Sequence, residues 1–143
     1  NRGFMIVKIE QDKINEISEI ETEAFSEPWA QDTYRELDRN YNTHMYIYYE
    51  EKEVIAYAVF LDMVDVYELV KIAVKKEFRG KRYGAKFLTD IIDKFDKNIF
   101  LEVREKNISA IKLYESTGFK RVNIRKNYYR DTGENAVIMI YDR

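Results

Sequence analysis

LEVREKNISAIKLYESTGF, residues 101–119, is the stretch from which the fold is read. Ile99, Leu101 and Val103 alternate with Glu102, the pattern of a strand with one apolar face. Asn107 or Ser109 can cap the helix that follows, in which Ala110, Leu113, Tyr114 and Thr117 share a face. Gly118 is placed to end that helix in the left-handed conformation. A strand, a short turn and a helix thus follow one another directly.

Upstream lies KKEFRGKRYGAK, residues 75–86, with six basic residues and one acid. Its local net is +5 in a chain of net −2, so the other 131 residues carry −7. The segment before it, Val64 to Val74, reads as a strand with Val64, Val66, Val70, Ile72 and Val74 on one face, and Glu68 on that same face. The segment after it carries Tyr83, Phe87, Leu88, Ile91, Ile92 and Phe95 as the stripe of an amphipathic helix. The basic island is therefore a turn between strand and helix.

The rest of the chain continues the mixture. Phe4 to Ile9 alternates as a strand, and Asp12 can cap a helix with Ile14, Ile17, Ile20, Ala24 and Phe25 on one stripe. Pro28 interrupts beside Trp29, and a second helix is expected from about Gln31 to Arg39. His44 to Tyr49 and Val54 to Leu61 read as strands. Strands over about 119–128 and 136–141 flank Asp131-Thr132-Gly133 as a hairpin. This is an α/β or α+β chain with a mixed sheet. Its length suits one domain, over 5–143; residues 1–4 precede Met5 and are expected to be a cloning remnant.

Composition removes several chemistries. There is no Cys, hence no disulfide, thiol nucleophile or Cys-ligated zinc. One His, His44, cannot make a His-rich metal site, and its strand-like setting reads as structural. No apolar run approaches the roughly 20 residues of a membrane span. A net charge of −2 argues against a general nucleic-acid coat. The compartment suggested is the cytoplasm.

Three constellations remain. Arg79-Gly80-Lys81-Arg82-Tyr83-Gly84 opens a helix, where free N–H groups and nearby cations suit phosphate oxygens. It matches neither GxxxxGK[ST] nor GxGxxG, and a solvated basic turn is the plainer reading. Glu102 on a strand and Tyr114 on the next helix could serve as base and acid, or as an ion-pair partner and a core residue. Arg125 to Arg130, RKNYYR, interleaves charge with Tyr128 and Tyr129, as in single-strand binders or at an ordinary strand end. Glu68 on an apolar face is either a paired buried acid or a site residue.

Taken together, AFSEPW (24–29), ELVKIAVKKEFRGKRYG (68–84), LEVREKNISAIKLYESTGF (101–119) and NYYRDTGENAVIM (127–139) resemble the GNAT family of acetyl-CoA-dependent N-acetyltransferases. Within it they look most like the RimI-type enzymes that acetylate protein N-terminal α-amines. The resemblance implies the GNAT acyl-CoA N-acyltransferase fold, a mostly antiparallel central sheet flanked by helices. It implies that Ile72, Ala73 and Val74 offer backbone groups to the pantetheine and acetyl carbonyl. Arg79 through Gly84, with Ala85 after them, match the pyrophosphate loop [QR]-x-x-G-x-[GA], except that Arg82 stands where the family usually has Gly. Asn107 matches a CoA-contacting Asn, Glu102 the general base and Tyr114 the general acid, with Glu68 as a backup base. Phe25 and Trp29, with Tyr128 and Tyr129, are implied walls of the peptide groove. The implied partners are acetyl-CoA and a protein N-terminus, a ribosomal protein's or a broader set, with no metal, nucleic acid or membrane. A GNAT acting on a small amine or Lys side chain, and a CoA-binding module without turnover, are the alternatives.

Overall fold

The computed structural model describes residues 2–6, 11–25, 28–30, 33, 36 and 42–143, with side chains from Lys13 onward. Alternating apolar residues build seven strands: β1 (Arg2–Ile6), β2 (Thr43–Glu50), β3 (Glu53–Asp62), β4 (Val66–Val74), β5 (Asn98–Arg104), β6 (Lys120–Arg125) and β7 (Ala136–Tyr141). Residues with apolar spacings of three and four build the helices α1 (Gln11–Ala24), α2 (Tyr83–Ile92) and α3 (Ile108–Ser116). The strands form one sheet in the order β1-β2-β3-β4-β5-β7-β6. Neighbours are antiparallel except β4 and β5, which run parallel. The expected mixed, mostly antiparallel sheet flanked by helices is the one found.

Each face of the sheet has its own core. On one face, α2 buries Phe87, Leu88, Ile91 and Ile92, and α3 buries Ile111 and Tyr114, against Leu69, Leu101 and Val103. At roughly 1.5–3 kcal/mol for each large apolar side chain removed from water, the α2 stripe alone contributes more than a helix's intrinsic propensity can. On the other face, Ile17 and Ile20 of α1 meet Ile47, Val54, Tyr57 and Val59. Phe95, just past α2, stacks on Tyr67 with ring centroids 4.2 Å apart.

Several boundaries differ from the sequence reading. The first strand begins ahead of Met5, so Arg2 to Phe4 pair with β2, and residues 7–9 lie outside the described set. Helix α1 starts at Gln11, placing Asp12 inside it. The helix expected over 31–39 lies outside the described residues apart from Thr33 and Glu36. Val64 is not in β4; it sits in the β3–β4 turn at φ 75, 78% exposed. The last hairpin is also opened by a longer connection, because β6 stops at Arg125 and leaves Tyr128 in the loop.

The single apolar face expected along 64–74 is corrected by a β-bulge. Val59 pairs with Lys71 but Phe60 pairs with Leu69, so Val70 is the extra residue. Alternation changes phase there. Tyr67, Leu69, Ile72 and Val74 pack toward α2 and α3, whereas Val70 and Ala73 pack toward α1.

Candidate active site

The parallel pair of strands creates the opening. β4 pairs with β5 only through Val66–Asn98, Tyr67–Ile99 and Glu68–Phe100, although both strands run on. The bulge at Val70 lies just past the last pair, where a bulge bends its strand. Past it, the β5-facing edge of Ile72 to Val74 is covered by no strand. A cleft of ≈ 630 Å³ lies against this edge, floored by Ile72, Ala73 and Val74 and walled by Ala110 and Leu113 of α3.

One end of the cleft gathers groups that suit an anion. Gly80 takes φ 75, and Arg82, the N-cap of α2, takes φ 65 and ψ 12. No side chain caps α2, and its first residues Tyr83, Gly84 and Ala85 line the cleft, where the N–H groups of a helix's first turn suit an anion. Arg79 is oriented by its own bond, Nε donating to the Val74 carbonyl at 2.9 Å. Gly84 sits against the cleft floor and α3: a Cβ there would make ordinary contacts, 3.4 Å from Val74 Cγ2 and 3.5 Å from Leu113 Cδ1. An apolar trough ending in helix N–H groups and two arginines suits a narrow, partly apolar arm attached to a polyphosphate. Coenzyme A has that shape and charge.

The other face holds a cluster of acids and phenols. Tyr67, Leu69, Leu101 and Val103 face α2 and α3, so alternation turns Glu68 and Glu102 the opposite way. Burial, and then the Glu102 charge, push the Glu68 carboxyl above its usual range. Glu102 accepts from Tyr128 Oη at 3.1 Å and from Arg125 Nη1 at 3.1 Å. Arg104 holds the loop between β6 and β7 with two bonds to Asp131, at 3.1 and 3.2 Å, and lies 3.9 Å over the Tyr129 ring. Asp131 is held below the usual carboxylate range, chiefly by that Arg104 bond. Tyr129 is pushed up by burial, opposed by Arg104 and reinforced by Glu102. Tyr114 is pushed up to about 12 by burial, with Tyr129 adding to the shift. Tyr129 is thus within electrostatic range of both Glu102 and Tyr114.

Residues 14–119 match the model of the acetyltransferase (GNAT) family. The chain belongs to the GNAT family. It is 36% identical over 143 residues to the [ribosomal protein bS18]-alanine N-acetyltransferase of Haemophilus ducreyi, covering 94% of this chain and 97% of that one. The Escherichia coli (strain K12) protein of the same name is 34% identical, with 84% of each chain covered. The crystal structure of the ribosomal-protein-S18-alanine N-acetyltransferase from Escherichia coli superposes with TM-score 0.83 at 30% identity, covering 97% of this chain and 93% of that one. As a GNAT, this chain is an acetyl-CoA-dependent N-acetyltransferase.

The GNAT cleft gathers nearly all residues that the sequence assigned to the cosubstrate. Ile72, Ala73, Val74, Arg79, Gly80, Arg82, Tyr83, Gly84, Ala85 and Asn107 line it; Lys81 is exposed and does not. Arg82 keeps the left-handed backbone that glycine adopts freely, so the departure from the family pattern leaves the turn in place. Asn107 caps α3, its side chain accepting from the Ala110 N–H at 3.2 Å. Glu102 and Tyr114 do not line the cleft and do not share a face of the sheet: Tyr114 is in the core beneath α3. Phe25, expected in the peptide groove, lines the cosubstrate cleft.

Sequence reasoning passed over Phe78, Lys112, Leu113 and Ser116 of the cleft. Leu113 already stood on the apolar face of α3, and Lys112 was a cation beside it. It also passed over Glu21, fully buried, whose carboxylate accepts from Tyr57 Oη, Lys71 Nζ and, at 2.9 Å, the Trp29 N–H.

Proposed function

We propose that this N-acetyltransferase acts on the N-terminal α-amine of a protein, with an alanine N-terminus of the ribosomal bS18 type as the preferred class. The observation that carries the reading is Glu102, a carboxylate held by Arg125 and Tyr128 on the sheet face where β4 and β5 part. The names of relatives at 34–36% identity support the acceptor. The reading places the enzyme in the cytoplasm; no described helix is long and apolar enough to cross a membrane.

The amine's own chemistry favours an N-terminus. With a pKa of about 7.7–8.0, about one α-amine in ten is neutral at pH 7, against about one Lys in 2,500. A carboxylate therefore has little work to do. Glu102 takes the ammonium proton, directly or through water. Bound acetyl-CoA supplies the thioester that the amine attacks. Ile72 to Val74, Arg79, Arg82 and the start of α2 hold it, and backbone N–H near Val74 holds the developing oxyanion.

Tyr114 keeps its proton throughout neutral pH, since burial pushes it up to about 12. A cysteine thiol ionises near 8.5, and against that reference complete transfer from Tyr114 is uphill by about 3.5 pK units. From its place in the core beneath α3, outside the cleft lining, Tyr114 can act on the departing thiolate as a hydrogen-bond donor and not as a proton source. This softens the general-acid role implied by the resemblance.

Acetyl transfer across a library of N-terminal peptides, beside polyamines and Lys side-chain peptides, tests the reading. Peptides with N-terminal alanine should be acetylated with the highest kcat/KM. Faster transfer to a polyamine or an internal Lys would overturn it.

A further inference from the structure

The Lys71 ammonium lies 3.6 Å from the Trp29 ring centroid and 4.4 Å from that of Phe25, with Glu21 bound to its Nζ. Its side chain is 11% exposed and that of Glu21 0%. The assembly ties α1 through Glu21, β3 through Tyr57 and β4 through Lys71 to two aromatic residues beyond α1. An aliphatic side chain could fill the same volume. It could not orient two rings by charge, nor balance a carboxylate that has no access to water. Lys71 also directly precedes Ile72, the first β4 residue of the cleft, and Phe25 lines that cleft.

We infer that Lys71 is a positioning residue, whose ammonium, anchored by Glu21, sets Phe25 and Trp29 as the wall between the acetyl-CoA cleft and the acceptor. The inference rests on the reading that the acceptor approaches past these two rings. It assigns a buried charge pair to acceptor recognition, where a purely architectural role would leave recognition untouched. Because Glu21 neutralises Lys71 locally, the wall presents no net positive charge to an incoming ammonium.

The test uses Trp29, the only tryptophan. The paired variant E21Q/K71M removes both charges while keeping volume, a change that buried pairs commonly tolerate. Acrylamide quenching of Trp29 should rise about twofold, and KM for an N-terminal alanine peptide about tenfold, with kcat held within about threefold. Lys71→Arg, which keeps charge and ring stacking, should restore both readouts toward wild type. If the paired variant does not fold, E21Q/K71Q keeps hydrogen-bonding groups at both positions without either charge and carries the same expectations. A folded charge-free variant with wild-type quenching and wild-type acceptor KM overturns the inference, whatever its melting temperature. Wild-type enzyme that acetylates no N-terminal peptide would sink the functional reading instead; the quenching arm would still decide whether Lys71 places the ring.

Discussion

The Tyr128 hydroxyl donates to Oε1 of Glu102 at 3.1 Å, so a loop residue between the last two strands touches the carboxylate of β5 directly. Arg125, on the strand leading into that loop, takes the other oxygen at 3.1 Å. The carboxylate is oriented from both sides and yet 20% exposed. That combination of fixed direction and open access suits a group that must meet an incoming ammonium.

Glu102→Gln keeps the shape and an oxygen for Tyr128 while removing the basic oxygen. We expect kcat to fall about 10²- to 10⁴-fold, the usual contribution of a positioned base, with KM for acetyl-CoA changed less than about twofold. Thiol release under saturating acetyl-CoA measures both. An unchanged kcat would move the role to Glu68, on the same face. In this variant Glu68 should also ionise at lower pH, because the Glu102 charge is one cause of its upward shift.

Tyr114→Phe separates hydrogen bonding from proton transfer. Loss of a hydrogen bond to a developing thiolate costs about 1.5–3 kcal/mol, or about 10- to 100-fold in kcat, and a larger fall would restore full acid catalysis. The same residue predicts alkaline behaviour. Its folded pKa, about 12, lies above the ordinary 10.0, so its contribution is fully present below pH 10 and lost as pH rises toward 12. Wild-type stability should drop by about 2–3 kcal/mol more than that of Tyr114→Phe across this window, as read by urea melts.

Much of this arrangement was legible. Ile99, Leu101 and Val103 announced β5 by alternation, Asn107 was one of two residues read as the α3 cap, and the basic island marked the turn that leads into α2. What stayed hidden depended on contacts between distant residues. Tyr67 to Val74 carries apolar side chains toward both faces, so nothing in the pattern marks the bulge at Val70 or the change of phase after it. Nothing near Lys71 in the sequence marks its burial, because its partner, Glu21, lies fifty residues away. Tyr128 fits a strand by β-propensity, and only the pairing shows that β6 ends before it.

Arg82→Gly probes the turn at the anion end. Arg82 holds φ 65, which costs a non-glycine residue about 1–2 kcal/mol, offset in part by glycine's larger unfolded entropy. The variant should melt about 2–4 °C higher. It also removes a cation from the cleft, so KM for acetyl-CoA should rise about three- to tenfold at low salt, with the difference shrinking as salt is added. An unchanged KM at low salt would show that the guanidinium does not contact the cosubstrate.

Gly118→Ala, finally, tests the link between α3 and the last strand. Gly118 takes φ 108, and a Cβ built on it would stand 2.9 Å from Tyr141 Cε2 and 3.2 Å from Cδ2. Alanine must therefore adopt a strained backbone and also displace a ring that packs on Phe119 at 5.7 Å. Gly133 is the control: φ is 73 and nothing lies within 4 Å of its added Cβ, so Gly133→Ala meets backbone strain alone. We expect Gly133→Ala to cost about 1 kcal/mol and Gly118→Ala about 3–4 kcal/mol, or roughly 10 °C in melting temperature. Equal losses for the two variants would mean that the Tyr141 ring moves aside freely, and that the close approach of α3 to β7 adds nothing to the fold.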